Sequence, residues 1–110
     1  MRAMVIPRFG DPDVFEQRDV DEPVAGAGQV LVKVVATAVN PVDAKLRANG
    51  HWAGLEPPVV LGYDVAGTIE KVGPGVDGFR DGDEVYYTPE IFGNPLGSYA
   101  EYNAVPAPLV

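Results

Sequence analysis

The 110-residue chain contains no cysteine and only one histidine, His51. The lack of cysteine excludes disulfide bonds and thiolate zinc sites, and it leaves His51 as the only nitrogen ligand for a metal. Positive charge is also scarce, since eight Lys and Arg residues stand against sixteen Asp and Glu residues, for a formal net charge of −8. The basic residues are scattered along the chain, so we expect no nucleic-acid partner.

Long apolar runs and targeting signals are missing as well. No uninterrupted apolar stretch approaches the length that crosses a bilayer, so membrane insertion is not expected. The N-terminus, MRAMVIPRFG, lacks a long apolar region and a small-residue cleavage site, and we interpret it as structural sequence rather than an export signal. In the absence of such a signal, the cytoplasm is the default compartment. The length and a hydrophobic content of 46% predict one compact domain over residues 1–110.

Glycine and proline, by contrast, are abundant. Thirteen glycines and eleven prolines divide the chain into short elements and predict a mainly β domain. Because no repeat or linker interrupts the pattern, the short strands are expected to curl into a closed or partly open barrel. The predicted strands cover residues 2–6, 14–18, 29–39, 63–72, 84–88 and 98–105.

The stretch QVLVKVVATAV, residues 29–39, carries the strongest strand signal. It is dense in β-branched side chains, and after Gln29 its only polar side chains are Lys33 and Thr37. Both of its faces are therefore expected to be covered, with the strand passing from the edge of the sheet into the interior. The stretch 63–72 alternates instead, which is typical of a half-buried strand.

A short helix is predicted over residues 41–48. Asn40 is a suitable N-cap residue, and proline at the first helical position, Pro41, is already in a helical conformation. Asp43 suits the positive end of the helix dipole. Arg47 lies four residues further on, within reach of the Asp43 carboxylate for an ion pair.

The segment GPGVDG, residues 73–78, has the glycine spacing of a dinucleotide-binding loop. Such a loop binds phosphate only where a strand runs into it and a helix leaves it. The residues that follow, FRDGDEVYY, predict a second strand rather than a helix, and Pro74 removes a backbone N–H from the supposed phosphate site. We interpret the segment as a turn between two strands.

The order of these segments resembles the N-terminal, GroES-like domain of the medium-chain dehydrogenase/reductase superfamily. The similarity covers nearly the whole chain, from GQVLVKVVATAVNPVDAKLR through PPVVLGYDVAGTIEKVGPGVDGFRDGDEVY to GSYAEY. The NPVDAK segment, together with V-L-G-x-D-x-A-G, looks like the zinc-independent branch that holds quinone oxidoreductases and related enone reductases. The resemblance implies a mainly β, GroES-like, partly open β-barrel with one or two short helices.

The same resemblance implies a function. It suggests the substrate-side domain of an NADPH-dependent reductase that transfers hydride to a quinone or an α,β-unsaturated carbonyl. NADPH would bind mainly to a Rossmann domain that is absent from this chain, so the chain alone is expected to be inactive. The parent enzyme is expected to be a homo-oligomer. The alternative is a stand-alone GroES-like binding or chaperonin-cofactor-like module without catalysis.

Zinc-dependent members of the superfamily carry a cysteine at the position of Asn40 and a His-Glu pair at Tyr63-Asp64. Neither an amide nor a phenol is a usual zinc ligand, so no zinc is expected. Asn40 is instead the best catalytic candidate, as a contact to the substrate or the nicotinamide that also caps the helix. Asp43 is a cofactor-binding candidate that also supports the helix N-terminus.

Three further residues are substrate-binding candidates, each with a structural alternative. Lys45 would attract an anionic group, and the alternative, a solvated helix charge, is favoured. Trp52 would stack on a planar substrate or plug the end of the barrel. Tyr63 would donate a hydrogen bond to a substrate oxygen or pack in the core. Asp64 is expected to shape the cleft rather than to perform catalysis.

Overall fold

The computed structural model describes residues 1–110 and is mainly β, as predicted. Two antiparallel sheets, with strand orders β2-β1-β4 and β6-β5-β3-β7, pack with one α-helix. The sheets do not close on themselves, which confirms the partly open form of the predicted barrel. The elements are β1 (Arg2–Ile6), β2 (Glu16–Asp19), β3 (Gln29–Ala36), α1 (Pro41–Asn49), β4 (Val59–Val60), β5 (Val65–Val72), β6 (Glu84–Tyr87) and β7 (Tyr102–Pro106).

The first hairpin confirms the predicted strand β1, but its second strand, β2, begins two residues later than predicted. β1 pairs with β2 in an antiparallel register that sets Val5 opposite Glu16. The predicted start at Val14 is wrong, because a short 3-10 helix, Pro12–Val14, precedes the strand and directs the Val14 side chain into the core. Proline at the start of this helical turn fits the preference of its fixed φ angle.

β3 is the central strand of the larger sheet, paired with β5 on one side and β7 on the other. Its first half is buried, but Val35 is 73% exposed and the strand ends at Ala36, three residues short of the prediction. The expectations that both faces are covered throughout and that the strand runs from edge to interior are therefore wrong. The strand lies inside the larger sheet, and in its second half only Val34 packs against the core.

The GPGVDG segment joins β5 to β6 as a turn, which confirms its interpretation. Gly75 and Gly78 adopt φ angles of 78° and 87°, a region that glycine enters without strain. β5 begins at Val65, two residues later than predicted, and its buried positions alternate as predicted. Gly67 allows a close approach to β3. A Cβ atom at Gly67 would collide with the carbonyl oxygen of Lys33.

The predicted last strand, 98–105, is shorter in the structure, because β7 begins only at Tyr102. Ala100 makes an isolated bridge with Ala3 of the other sheet, so this part of the chain connects the two sheets. The two-residue strand β4 was not predicted. A run of two residues carries no periodic signal.

Two hydrophobic clusters form most of the core. One packs α1 through Leu46 against Ile6, Leu61 and neighbouring apolar side chains. The other lies in the larger sheet around Val32 and Ile69. No helix combines the length and the apolar character needed to cross a membrane.

Candidate functional site

The candidate site lies at the N-terminus of α1, where the chain has just left β3. Asn40 has extended backbone angles, φ −121° and ψ 159°, and Pro41 is the first helical residue, so the predicted start of the helix is confirmed. The helix itself continues to Asn49, one residue beyond the prediction. Asn40 is partly buried and lies between the helix and the segment that leads into β5.

The Asn40 side chain is bound to Asp64. Its Nδ2 atom donates to Asp64 Oδ2 at 2.6 Å across 24 residues of sequence. An ionised carboxylate can only accept hydrogen bonds, so the NH2 end of the amide must face Asp64. The carboxylate therefore fixes the orientation of the Asn40 amide.

Asp43 is 3% exposed, and both of its carboxylate oxygens are engaged by the backbone. Oδ2 accepts from the Asn40 N–H at 2.8 Å, and Oδ1 accepts from the Gly62 N–H at 3.1 Å. The predicted ion pair with Arg47 is wrong, because Arg47 Nε donates to the Gly10 carbonyl at 3.0 Å instead. Asp43 is thus a buried carboxylate held by backbone N–H groups and by the positive end of α1.

The Tyr63 side chain lies in the hydrophobic core and is 2% exposed. Its hydroxyl is buried and has no hydrogen-bond partner. Burial, followed by the nearby charge of Asp43, raises the pKa of Tyr63 to about 12. This placement fits the core-packing interpretation of Tyr63.

A second phenol lies close to the same carboxylate. The Tyr99 hydroxyl is also buried and lies near Asp43. Burial, and after it the neighbouring Asp43, raises the pKa of Tyr99 above its usual range. Asp43 is therefore surrounded by neutral phenols and backbone N–H groups, with no cationic side chain bound to it.

Trp52 and Lys45 lie apart from this cluster. Trp52 follows α1 in a short 3-10 helix, His51–Ala53, and its 56% exposure does not suit a plug inside a barrel. A helix of nine residues is roughly 13 Å long, so Trp52 lies past the opposite end of α1 from Asn40. Lys45 is exposed on α1, as the solvated-charge interpretation predicts.

Phe92 is a neighbour of Trp52 that the sequence patterns did not reveal. The two rings meet edge to face, with centroids 6.2 Å apart, and Phe92 is also exposed. A hydrogen bond from the Gly93 N–H to the Ala53 carbonyl, 2.8 Å long, joins the two loops. Phe92 lies in the irregular segment between β6 and β7, where no periodicity marks it.

A groove of about 780 Å³ reaches Asp64, the hydrogen-bond partner of Asn40. Ten of its fourteen lining residues are hydrophobic. Asp64 contributes a carboxylate to this mostly apolar wall, which is typical of small-molecule sites. The lining includes Ala36, Asp64, Phe79, Tyr86, Leu109 and Val110.

His51 packs edge-on against Phe9, with ring centroids 4.9 Å apart. No group of three or more His, Cys, Asp or Glu side chains is arranged to hold a metal ion.

Comparison with known proteins gives consistent matches. The sequence pattern of the alcohol dehydrogenase GroES-like domain matches residues 26–110. The chain is 43% identical over 103 residues to a quinone oxidoreductase of Lama guanicoe, which covers 93% of this chain and 30% of the relative. It is also 43% identical over 116 residues to an Arabidopsis thaliana NADPH-dependent alkenal/one oxidoreductase, chloroplastic, which covers 100% of this chain and 30% of the relative.

Solved structures agree with the sequence matches. An alcohol dehydrogenase superfamily protein from Novosphingobium aromaticivorans superposes with a TM-score of 0.88 at 41% identity, covering 99% of this chain and 33% of that chain. The chain thus spans about a third of the length of the proteins it matches.

Replacing Tyr63 by Phe tests its role in the core. Removal of a buried hydroxyl that lacks a partner is expected to raise the free energy of unfolding by about 1 kcal/mol. Urea denaturation of the 110-residue chain measures this change. Tyr87→Phe is the matched control, because the Tyr87 hydroxyl donates to Asn103 Oδ1 at 2.7 Å and its loss should destabilise by about 1–3 kcal/mol. Destabilisation of Tyr63→Phe to the same extent would show that the Tyr63 hydroxyl does have a hydrogen-bond partner.

The raised pKa of Tyr63 predicts a loss of stability at alkaline pH. The folded-state pKa of about 12 exceeds the unfolded value of 10.0, so the contribution is complete below pH 10 and disappears as the pH rises towards about 12. Urea midpoints measured between these pH values should fall more steeply for the wild type than for Tyr63→Phe. Equal slopes for the two proteins would show that Tyr63 ionises as freely in the folded state as in the unfolded one.

Proposed function

Because the chain belongs to the alcohol dehydrogenase GroES-like domain family, we propose that it is the substrate-side domain of a longer NADPH-dependent oxidoreductase. The substrates are quinones or α,β-unsaturated carbonyls. The names of the quinone and alkenal/one oxidoreductases to which it is similar support this choice of acceptor and cofactor. The match covers only 30% of the length of each of these relatives, which supports the proposal that the chain is one part of such an enzyme.

The observation that carries the proposal is the oriented amide of Asn40. Asp64 accepts one hydrogen of Nδ2, so the second hydrogen of the same NH2 group is left to donate. A carbonyl oxygen of the substrate is a suitable acceptor for it.

NADPH, when bound, supplies the hydride. The residues of this chain do not offer a pyrophosphate site, because the only dinucleotide-like glycine segment is a turn between β5 and β6 with no helix after it. They fit the reacting end of the complex instead, through the Asn40 amide and the apolar groove beside Asp64. The phosphates are therefore assigned to sequence outside these residues.

The role of Asn40 follows from where charge develops. When hydride adds to the β-carbon of an enone, the displaced electron pair moves to the carbonyl oxygen and gives an enolate, which a proton from water then neutralises. An N–H donor placed at that oxygen stabilises the growing negative charge more than the neutral carbonyl. For a quinone the same donor stabilises the oxygen of the hydroquinone anion.

A stand-alone binding or chaperonin-cofactor-like module remains the competing proposal. The matched relatives are oxidoreductases, which favours the enzyme. A module that assembles into rings would show a multiple of the 11.7 kDa chain mass in light scattering. The substrate-side domain proposal requires no ring.

Turnover tests the proposal directly. A polypeptide in which residues 1–110 are followed by the sequence that continues the reading frame should oxidise NADPH in the presence of quinones and enones. Absorbance at the NADPH band measures the rate. The 110-residue chain alone should give none, because half of the cleft is missing. Failure of the longer polypeptide with every acceptor, at NADPH concentrations that saturate binding, would contradict the proposal.

Replacing Asn40 by Ala in the longer polypeptide tests the assigned donor. We expect kcat to fall about 100-fold, the usual effect of removing one hydrogen bond to a developing oxyanion. Asn49→Ala is the matched control, since Asn49 ends the same helix and its Oδ1 accepts only the nearby His51 N–H. The control should keep its kcat within about 2-fold, because a cap bond acts on stability. If the two substitutions lower kcat equally, Asn40 does not act as the hydrogen-bond donor to the substrate.

A further inference from the structure

Three hydrogen bonds and the backbone between Gly62 and Asp64 form a closed ring that includes Asp43 and the Asn40 amide. Asp43 accepts from the backbone N–H of Asn40 through Oδ2 and from that of Gly62 through Oδ1. Two residues after Gly62, Asp64 accepts from the side chain of Asn40. Asn40 therefore takes part in the ring twice, once through its backbone N–H and once through its side-chain amide.

Helix capping explains only half of this arrangement. A carboxylate at the third helical position commonly accepts the N–H of the capping residue, and it does so on the protein surface. Asp43 is instead buried, where a charge without a cationic partner is unfavourable. The additional feature that burial provides is the bond to Gly62, 19 residues away in sequence.

Gly62 is itself firmly placed. It has a φ angle of 104°, and a Cβ atom there would collide with Ser98 Oγ and the Tyr99 ring. Its carbonyl accepts the Ser98 N–H at 2.9 Å, and the Tyr99 N–H donates to Leu61 at 3.0 Å. Asp43 therefore connects the start of α1 to a fixed point of the fold.

We propose that Asp43 is a positioning residue, which holds the start of α1 against Gly62 so that the Asn40 amide stays bound to Asp64 in one orientation. Asp43 does not contact the substrate in this scheme. It acts through Asn40, and only the catalytic use of Asn40 rests on the proposed function. The positioning itself is a property of the 110-residue chain and can be measured there.

Two substitutions separate positioning from capping. Asp43→Asn keeps the shape of the side chain, but its NH2 end would face one of the two backbone N–H donors, so one of the two bonds is lost. Asp43→Ala removes both bonds. Arg47→Ala is the matched control, because it removes a tether between the other end of α1 and the Gly10 carbonyl without touching the ring.

The readout is the Asn40 side-chain amide in nitrogen-15 NMR spectra of the 110-residue chain. In the Asp43 variants we expect the two Nδ2 protons to move towards the shifts of a free asparagine and to exchange with water about tenfold faster, as for the loss of one hydrogen bond. In Arg47→Ala both properties should match the wild type. Asp64→Asn supplies the reference spectrum for a broken Asn40–Asp64 pair.

Unchanged Asn40 side-chain signals in a folded Asp43→Asn or Asp43→Ala protein would overturn the proposal, since Asp43 would then be only a helix cap. Loss of the folded spectrum in Asp43→Asn would also overturn it, because Asp43 would then support the fold as a whole. In the longer polypeptide, kcat should fall about tenfold in Asp43→Asn with KM nearly unchanged, as expected when only a transition-state contact is displaced. If the wild type shows no turnover while the NMR result holds, the proposed function fails and the positioning role stands.

Discussion

The candidate site depends on a buried carboxylate bound by two backbone N–H groups. Asp43 has no cationic partner, so the hydrogen bonds from Asn40 and Gly62, with the positive end of α1, must offset the cost of removing its charge from water. Because both donors belong to the backbone, they cannot change rotamer. The carboxylate consequently fixes the relative position of two chain segments, and each of these segments contributes one partner of the Asn40–Asp64 pair.

The sheets hold this small cluster in place without enclosing it. The larger sheet buries the first half of β3 and leaves Val35 and the residues that follow it exposed. Beyond the end of β3 the chain turns into α1, beside the apolar groove that includes Asp64. The fold thus combines a buried interior with an open apolar surface that includes Asp64. Such a combination is typical of a wall of a binding site.

The buried Tyr63 hydroxyl, which has no hydrogen-bond partner, lowers stability close to the candidate site. Its phenol also lies close to the buried charge of Asp43. Proteins are rarely at their stability optimum, and departures from it concentrate where function constrains the residues. The rest of the buried polar groups show no such departure, since Tyr87 and Asn103 are hydrogen-bonded to each other.

The sequence by itself determined the mainly β class, the strands β1 and β5, the start of α1 and the turn at GPGVDG. These features rest on periodicity, capping residues and glycines that act over a few neighbouring positions. Only the tertiary structure decided that Asp43 binds Gly62 rather than Arg47, that Asn40 binds Asp64, and that Tyr63 points into the core. These contacts join residues 19 and 24 positions apart or depend on burial, and no short-range pattern specifies which distant groups meet once the sheets have packed.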